Sequence, residues 1–360
     1  MESAIHTLRS VEHAFGRGEP FRVGVEEELL LVDPHTHALA HRAGEFLERL
    51  GDRIKPDVYE GEVETASPIS RDAAEAVASL GDTRTALREA GATLVGAGIH
   101  PDARFGDVEH VPGKRYETIT SAMRGLMRRT PTCALHVHVG MPDPGTAIRA
   151  CNGLRAFLPV LQGLAAHSPF WHGLDSGFAT ARAQMFRALP SAVIPPAFDG
   201  WEDYEAHLAA YEAAGGAPDY TLLWWDLRPH PRLGTVEVRA MDAQSRLGSV
   251  RGLAALVHGL AIACAHGEPA PAPPGPALAA TSFRAGRDGL EATIWWRGAL
   301  TPLRDVAAEA IAIAREHSPG AEDAEAIVRE GNGADRMRAA YAAGGMPGVL
   351  ELLVRETAAP

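Results

Sequence analysis

Apolar and polar positions along the chain follow two periods, near 2 and near 3.6, and switch between them at proline and glycine. Residues 21–33, FRVGVEEELLLVD, mix β-favouring apolar residues with carboxylates and stop at Asp33-Pro34, which predicts a strand ending in a turn. Residues 58–66, VYEGEVETA, alternate apolar and acidic side chains and predict a second strand with one acidic face, closed by Pro68. A short apolar strand follows at 93–99, and residues 133–141, CALHVHVGM, alternate strictly around two histidines. Residues 222–227 and 235–241, separated by a Pro- and Gly-containing turn, predict a β-hairpin. Helical spacing appears over 70–90, with Ser70 as N-cap and Gly91 just past the end, and over 42–51, 146–167, 199–214 and 249–266. Residues 268–276, EPAPAPPGP, form a stiff connection, after which the pattern to Thr357 is mostly helical.

Strands with acidic or histidine side chains on one face, interleaved with amphipathic helices, predict an α+β fold. Its centre is a large curved antiparallel β-sheet with surrounding helices. At 360 residues with 46% apolar and 22% charged positions, the chain has the composition of a globular enzyme, and a single domain spanning 1–360 is expected. No G-x-G-x-x-G or G-x-x-x-x-G-K motif marks a doubly wound nucleotide fold. A net charge of -12 disfavours nucleic acid as a partner, because phosphate backbones demand a basic face. Cys133, Cys151 and Cys264 are odd in number and irregular in spacing, against both a disulfide framework and a thiolate zinc site. No secretory leader and no continuous apolar run of about 18 residues is evident, so a soluble, cytoplasmic protein with no membrane partner is the expectation.

The chemistry resides in residue pairs two positions apart, which share one face of a strand. Glu26 and Glu28 form one pair with Glu27 pointing away; Glu62 and Glu64 form a second, His136 and His138 a third, Glu237 and Arg239 a fourth. Each pair alone reads equally as a solvated strand face, a core histidine pair or a surface ion pair. Together, in strands apolar enough to be buried, they read as an oxygen-rich site with imidazole that suits Mg²⁺ or Mn²⁺ and could hold the phosphates of ATP beside an arginine. Glu237→Gln is expected to remove a ligand charge, to weaken metal and nucleotide binding together, and to leave the fold intact or stabilised by relieved repulsion. Cys133 is expected to fill core space, Trp224-Trp225 to be a core-plus-edge pair, and Phe170, Trp171 and Phe178 to pack a loop.

Seven segments occur in an order that resembles the YbdK-type carboxylate–amine ligases, the second family of glutamate–cysteine ligases within the glutamine synthetase-like superfamily. They are V-G-V-E-E-E-L from Val23, V-E-T-A from Val63, G-I-H-P from Gly98, H-V-H-V-G from His136, S-P-F-W-H-G-L-D-S-G-F-A-T-A-R from Ser168, W-W-D-L-R-P from Trp224 and G-T-V-E-V-R from Gly234. The resemblance covers nearly the whole chain. It implies a glutamine synthetase-like catalytic domain, ATP and amino acids entering from opposite sides, an acyl-phosphate mechanism and a homodimer. By position it implies Glu26, Glu28, Glu64, His136 and Glu237 as metal ligands, Arg239 facing phosphate with His138 beside it, and Arg182 and Arg228 holding a substrate carboxylate. Two departures stand out. Ile99 replaces the threonine of G-T-H-P, and Ser282-Phe283-Arg284-Ala285 lacks the asparagine of an E-N-x-W-R-A motif, leaving Arg284 as the residue expected to contact substrate or ATP.

The leading expectation is therefore an ATP- and Mg²⁺-dependent ligase joining a carboxylate, most simply the γ-carboxylate of glutamate, to cysteine or a related amino acid. The same chemistry with a specialised amine acceptor, a metal-dependent amide hydrolase and a non-catalytic binding protein stand beside it as alternatives.

Overall fold

The computed structural model describes residues 11–215, 222–267 and 272–360. In chain order the strands are β1 (Val23–Val32), β2 (Ile54–Lys55), β3 (Glu62–Ala66), β4 (Thr93–Val95), β5 (Ala134–Gly140), β6 (Phe170–Trp171), β7 (Leu174–Asp175), β8 (Leu227–His230), β9 (Thr235–Asp242), β10 (Thr293–Trp296) and β11 (Ala299–Pro302). The helices are α1 (Ala43–Leu50), α2 (Ala73–Glu89), α3 (Lys114–Met123), α4 (Pro144–Leu154), α5 (Leu158–Leu164), α6 (Ala181–Phe186), α7 (Trp201–Ala213), α8 (Leu247–His266), α9 (Gly275–Asp288), α10 (Leu303–Arg315), α11 (Ala324–Glu330) and α12 (Gly333–Ala358).

The main sheet is antiparallel in the order β2-β3-β1-β5-β9-β8, with β4 also pairing with β1. Alternation along β1 sends Val23 and Val25 into the principal core and Leu29 and Leu31 into a second apolar cluster under α1. Between them Glu27 meets Arg84 of α2 in a bidentate pair at 2.9 and 2.6 Å, so the middle glutamate of E-E-E is a core ion pair on the face away from Glu26 and Glu28.

The principal core lies between the sheet and α2, α4, α5, α8 and α10. Helix α8, 20 residues long with an 18-residue window of mean hydropathy 1.6, is long and apolar enough to cross a membrane. Of its most apolar window 78% is buried inside the protein, which accounts for an all-round apolar helix.

Several boundaries differ from those predicted, each for a local reason. Helix α2 is capped by Asp72, whose side chain accepts the Glu75 N–H at 2.9 Å; Ser70 instead exchanges backbone hydrogen bonds with Val23. The stretch 146–167 splits into α4, begun by Asp143 as cap and Pro144 in the first turn, and α5. Strand β8 begins only at Leu227, because Trp224 and Asp226 donate their N–H groups to Ser191 Oγ and Val193 O and are drawn off the sheet. Helix α3 was not anticipated. The proline-rich connection lies partly outside the described residues.

A sheet face of carboxylates, imidazoles and arginines as candidate active site

Strand register turns the sequence pairs into one surface. Lys55 stands opposite Glu64, Glu64 opposite Glu28, Glu26 opposite His136, and His138 opposite Glu237, which in turn stands opposite Arg228. Glu26 Oε2 lies 3.6 Å from His136 Nδ1 and 3.5 Å from His138 Nε2; Glu28 Oε1 is 3.8 Å from His136 Nε2, and Glu237 Oε1 is 3.9 Å from His138 Nε2. The Thr235 hydroxyl sits 3.0 Å from His138 Nδ1, leaving Nε2 to face the carboxylates. These groups form one wall of a cavity of about 590 Å³, which Arg182, Arg228 and Arg239 also line.

The field within this wall is divided. Burial pushes Glu28 and Glu62 well above the ordinary carboxylate range, with Asp57 nearby adding to the effect, and pushes Glu64 to about 7, with Glu26 and Asp57 reinforcing it. Burial acts the same way on Glu26 and Glu237 but is outweighed. The imidazoles of His136 and His138 close beside it hold Glu26 low, and Arg228 and Arg239 hold Glu237 well below its ordinary value. Burial, helped by Arg239, lowers His136 to about 4, so it stands as a neutral imidazole.

Arg228 Nε donates to Glu237 Oε2 at 2.6 Å, and Arg239 Nη1 donates to Glu237 Oε1. Glu237 is therefore clamped by cations rather than repelled by its neighbours, and the expected relief of repulsion at this position is overturned. The repulsion belongs to Glu28, Glu62, Glu64 and Asp57.

Arg182, on α6, lines the cavity beside a β-bulge in β9. Leu135 pairs with Met241 but Val137 with Val238, so β9 holds one more residue than β5 over that stretch. Val236, Val238, Ala240 and Met241 all pack in the core, and Asp242 is turned to the opposite side. There it accepts the Ser168 hydroxyl at 2.7 Å, the Thr180 hydroxyl at 2.9 Å and the His167 N–H at 2.9 Å, with Arg182 Nη1 at 3.8 Å. Gly98 makes room for this cluster: a Cβ there would stand 2.6 Å from Asp242 Cγ. Ile99, the departure from G-T-H-P, is buried against Ala181 and Met185 beneath α6, so its effect is on packing under Arg182.

Arg284 is not brought to the site; it is exposed on α9 and does not line the cavity. Conversely Lys55, Asp57, Glu62, Arg129 and Thr130 do line it, and all but Glu62 went unnoticed because they lie in loops or at strand ends where no periodicity singles them out. Cys133 is buried with its thiol donating to Glu62 at 3.2 Å, and burial raises its pKa, so it is no nucleophile. Trp225 is in the core and Trp224 lines the cavity; Phe170 is buried against Tyr341, and Phe178 meets Phe283 edge-on.

A divalent cation fits the donor set. His136 Nδ1 and His138 Nε2 are buried with no hydrogen-bond partner, and both face Glu26. Among the described residues no three His, Cys, Asp or Glu side chains close on one point.

Comparison with known proteins places this site in a class, the ATP-dependent carbon–nitrogen ligases. A solved glutamate–cysteine ligase from Francisella tularensis, in complex with AMP, has the same fold at a TM-score of 0.68 and 14% identity, covering 93% of this chain and 88% of that one. The family model for glutamate–cysteine ligase family 2 matches residues 22–355. A relative in Rubrobacter xylanophilus, provisionally named glutamate–cysteine ligase 2-3, is 37% identical over 97% of this chain and 100% of its own length. Glutamate–cysteine ligase of Halobacterium salinarum is 38% identical over 66% of this chain and 69% of its own. The chain belongs to glutamate–cysteine ligase family 2 and is an ATP-dependent ligase.

Proposed function

We propose that the protein transfers the γ-phosphoryl group of ATP to the γ-carboxylate of glutamate and then joins the activated acyl group to the amine of a second amino acid. In the first step a carboxylate oxygen bonds to the γ-phosphorus and ADP leaves. In the second the amine nitrogen attacks the acyl carbon, inorganic phosphate leaves with the C–O bond electrons, and the nitrogen loses a proton. Glu26, Glu28, Glu64, His136 and Glu237 would hold Mg²⁺, which when bound neutralises phosphate charge. Arg239, half freed from Glu237 by a cation there, would face the transferring phosphoryl group, and His138 would orient it.

The observation that carries this reading is the convergence of Glu26, Glu28 and Glu237 on two buried imidazoles, of which His136 Nδ1 and His138 Nε2 have no hydrogen-bond partner. A second hollow of about 320 Å³, rich in glycine, shares Glu26, Lys55 and His138 with the main cavity and supports nucleotide entry from the far side of the metal positions. Arg182 and Arg228 would serve the amino-acid side.

The test is ADP release from purified protein with ATP, Mg²⁺ and glutamate across a panel of amines, with products read by mass spectrometry. ADP formed only with an amine, and a product mass equal to the two substrates less water, is the expected result. Turnover of amides without ATP would overturn the reading in favour of a hydrolase.

A further inference from the structure

The main cavity has a second wall, opposite in character to the carboxylates. Tyr59, Ile119 and Met127 form a small apolar cluster with Tyr116, Leu222 and Trp224, and all six line the cavity. Tyr116, Leu222 and Trp224 are only partly buried, so this cluster presents apolar surface to the cavity.

Beside that wall lie polar groups short of partners. Arg129 is fixed by two backbone carbonyls, Leu126 O at 3.1 Å from Nε and Met185 O at 2.9 Å from Nη1. Among the described residues no carboxylate lies within ion-pair distance of it, although it is half-buried. Its neighbour Thr130 is 1% exposed, and its hydroxyl has no hydrogen-bond partner. Met185 belongs to α6, one turn beyond Arg182, whose buried Nε also lacks a partner. A half-buried guanidinium without a countercharge and a buried hydroxyl without a partner are costly unless a ligand completes them, and a carboxylate does so for both.

Resting on the ligase reading above, we infer that Arg129 and Thr130, with Arg182, form the carboxylate subsite for the amine acceptor, and that this acceptor is an α-amino acid with a bulky apolar side chain. Its ammonium end faces the carboxylate wall, its carboxylate takes Arg129 and Thr130, and its side chain lies on Tyr59, Ile119, Met127 and Trp224. Cysteine or glycine would leave most of that apolar surface uncovered.

The test uses the whole chain with ATP, Mg²⁺ and glutamate, and compares leucine, phenylalanine and methionine with cysteine and glycine, and with isoamylamine and phenethylamine, the decarboxylated forms of the first two. The large apolar amino acids should exceed glycine and cysteine in kcat/KM by about tenfold or more, and exceed their decarboxylated forms by at least as much. Arg129→Met and Thr130→Val should each raise the KM of the acceptor by about tenfold while kcat and the KM of glutamate change by less than about twofold. Preference for cysteine or glycine, equal use of the decarboxylated amines, or a KM increase that falls on glutamate instead would overturn the inference and leave the ligase reading standing. ADP release with none of the amines would overturn the ligase reading and the inference together.

Discussion

Glu237 and Glu64 occupy the same sheet face, yet opposite consequences follow from neutralising them. Glu237 is 1% exposed and answers two guanidiniums, so Glu237→Gln leaves Arg228 and Arg239 buried with a neutral partner. Removing one member of such a pair costs about 3 kcal/mol, and urea unfolding should show that loss along with the loss of metal-dependent ADP release. Glu64 has only the half-exposed Lys55 at 3.4 Å to offset burial and two nearby carboxylates. Glu64→Gln should therefore stabilise the metal-free protein at neutral pH, by about 1 kcal/mol in the same experiment, while weakening its response to Mg²⁺. The sequence showed all four pairs, because an i, i+2 spacing on a strand needs no partner to be read. It did not show which carboxylates are clamped and which repel, because that depends on which strands neighbour one another.

At the scale of elements, the bulge in β9 decides where Asp242 stands. It returns Asp242 to the side of Arg182 after two successive residues, Ala240 and Met241, have entered the core. Gly98→Ala tests this arrangement: the added methyl, 2.6 Å from Asp242 Cγ and 2.9 Å from Ser168 Oγ, must displace the cluster. A stability loss of roughly 1–3 kcal/mol is expected, with a larger fractional fall in ligase kcat than a distant cavity-filling control of equal destabilisation produces. T-V-E-V-R-A-M-D has the period of a strand but not its interruption, since bulge position is set by pairing with β5. The late start of β8 has the same origin, as Ser191 and Val193 compete for the backbone that the pattern assigned to a strand.

For the molecule as a whole, the buried carboxylates make stability depend on pH and on cations. Glu64 is raised from 4.5 to about 7, so between those values the unfolded chain has released a proton that the folded protein still holds. For this group the unfolded state then binds fewer protons, so the contribution of Glu64 to metal-free stability falls as pH rises through that window, while buried His136 and His230, lowered to about 4, contribute in the opposite sense below the ordinary histidine value. With a chelator, Glu64→Gln should gain in melting temperature over the native chain as pH goes from 4.5 to 7.5. Added Mg²⁺ should narrow that gap by binding the ionised form of the folded native protein preferentially. A melting temperature independent of Mg²⁺ across that range would sink the assignment of Glu26, Glu28 and Glu64 as a cation site. Helix α8 also belongs to this scale: its composition alone fits a membrane span, and only its enclosure by α2, α4, α10 and β5 makes it the centre of the core.

The α+β class, the strands β1, β3, β5 and β9, the paired side chains along them and the family were all legible in local sequence. Periodicity and ordered motifs are local properties that survive without a fold. Chain folding alone shows that Arg284 stands apart, that Glu27 is a core ion pair with Arg84, that Arg228 and Arg239 share Glu237, and that Lys55, Asp57, Arg129 and Thr130 belong to the cavity. Each of those follows from which distant segments meet. Contact across tens or hundreds of residues is fixed by burial of the whole apolar surface and not by the spacing of any one stretch.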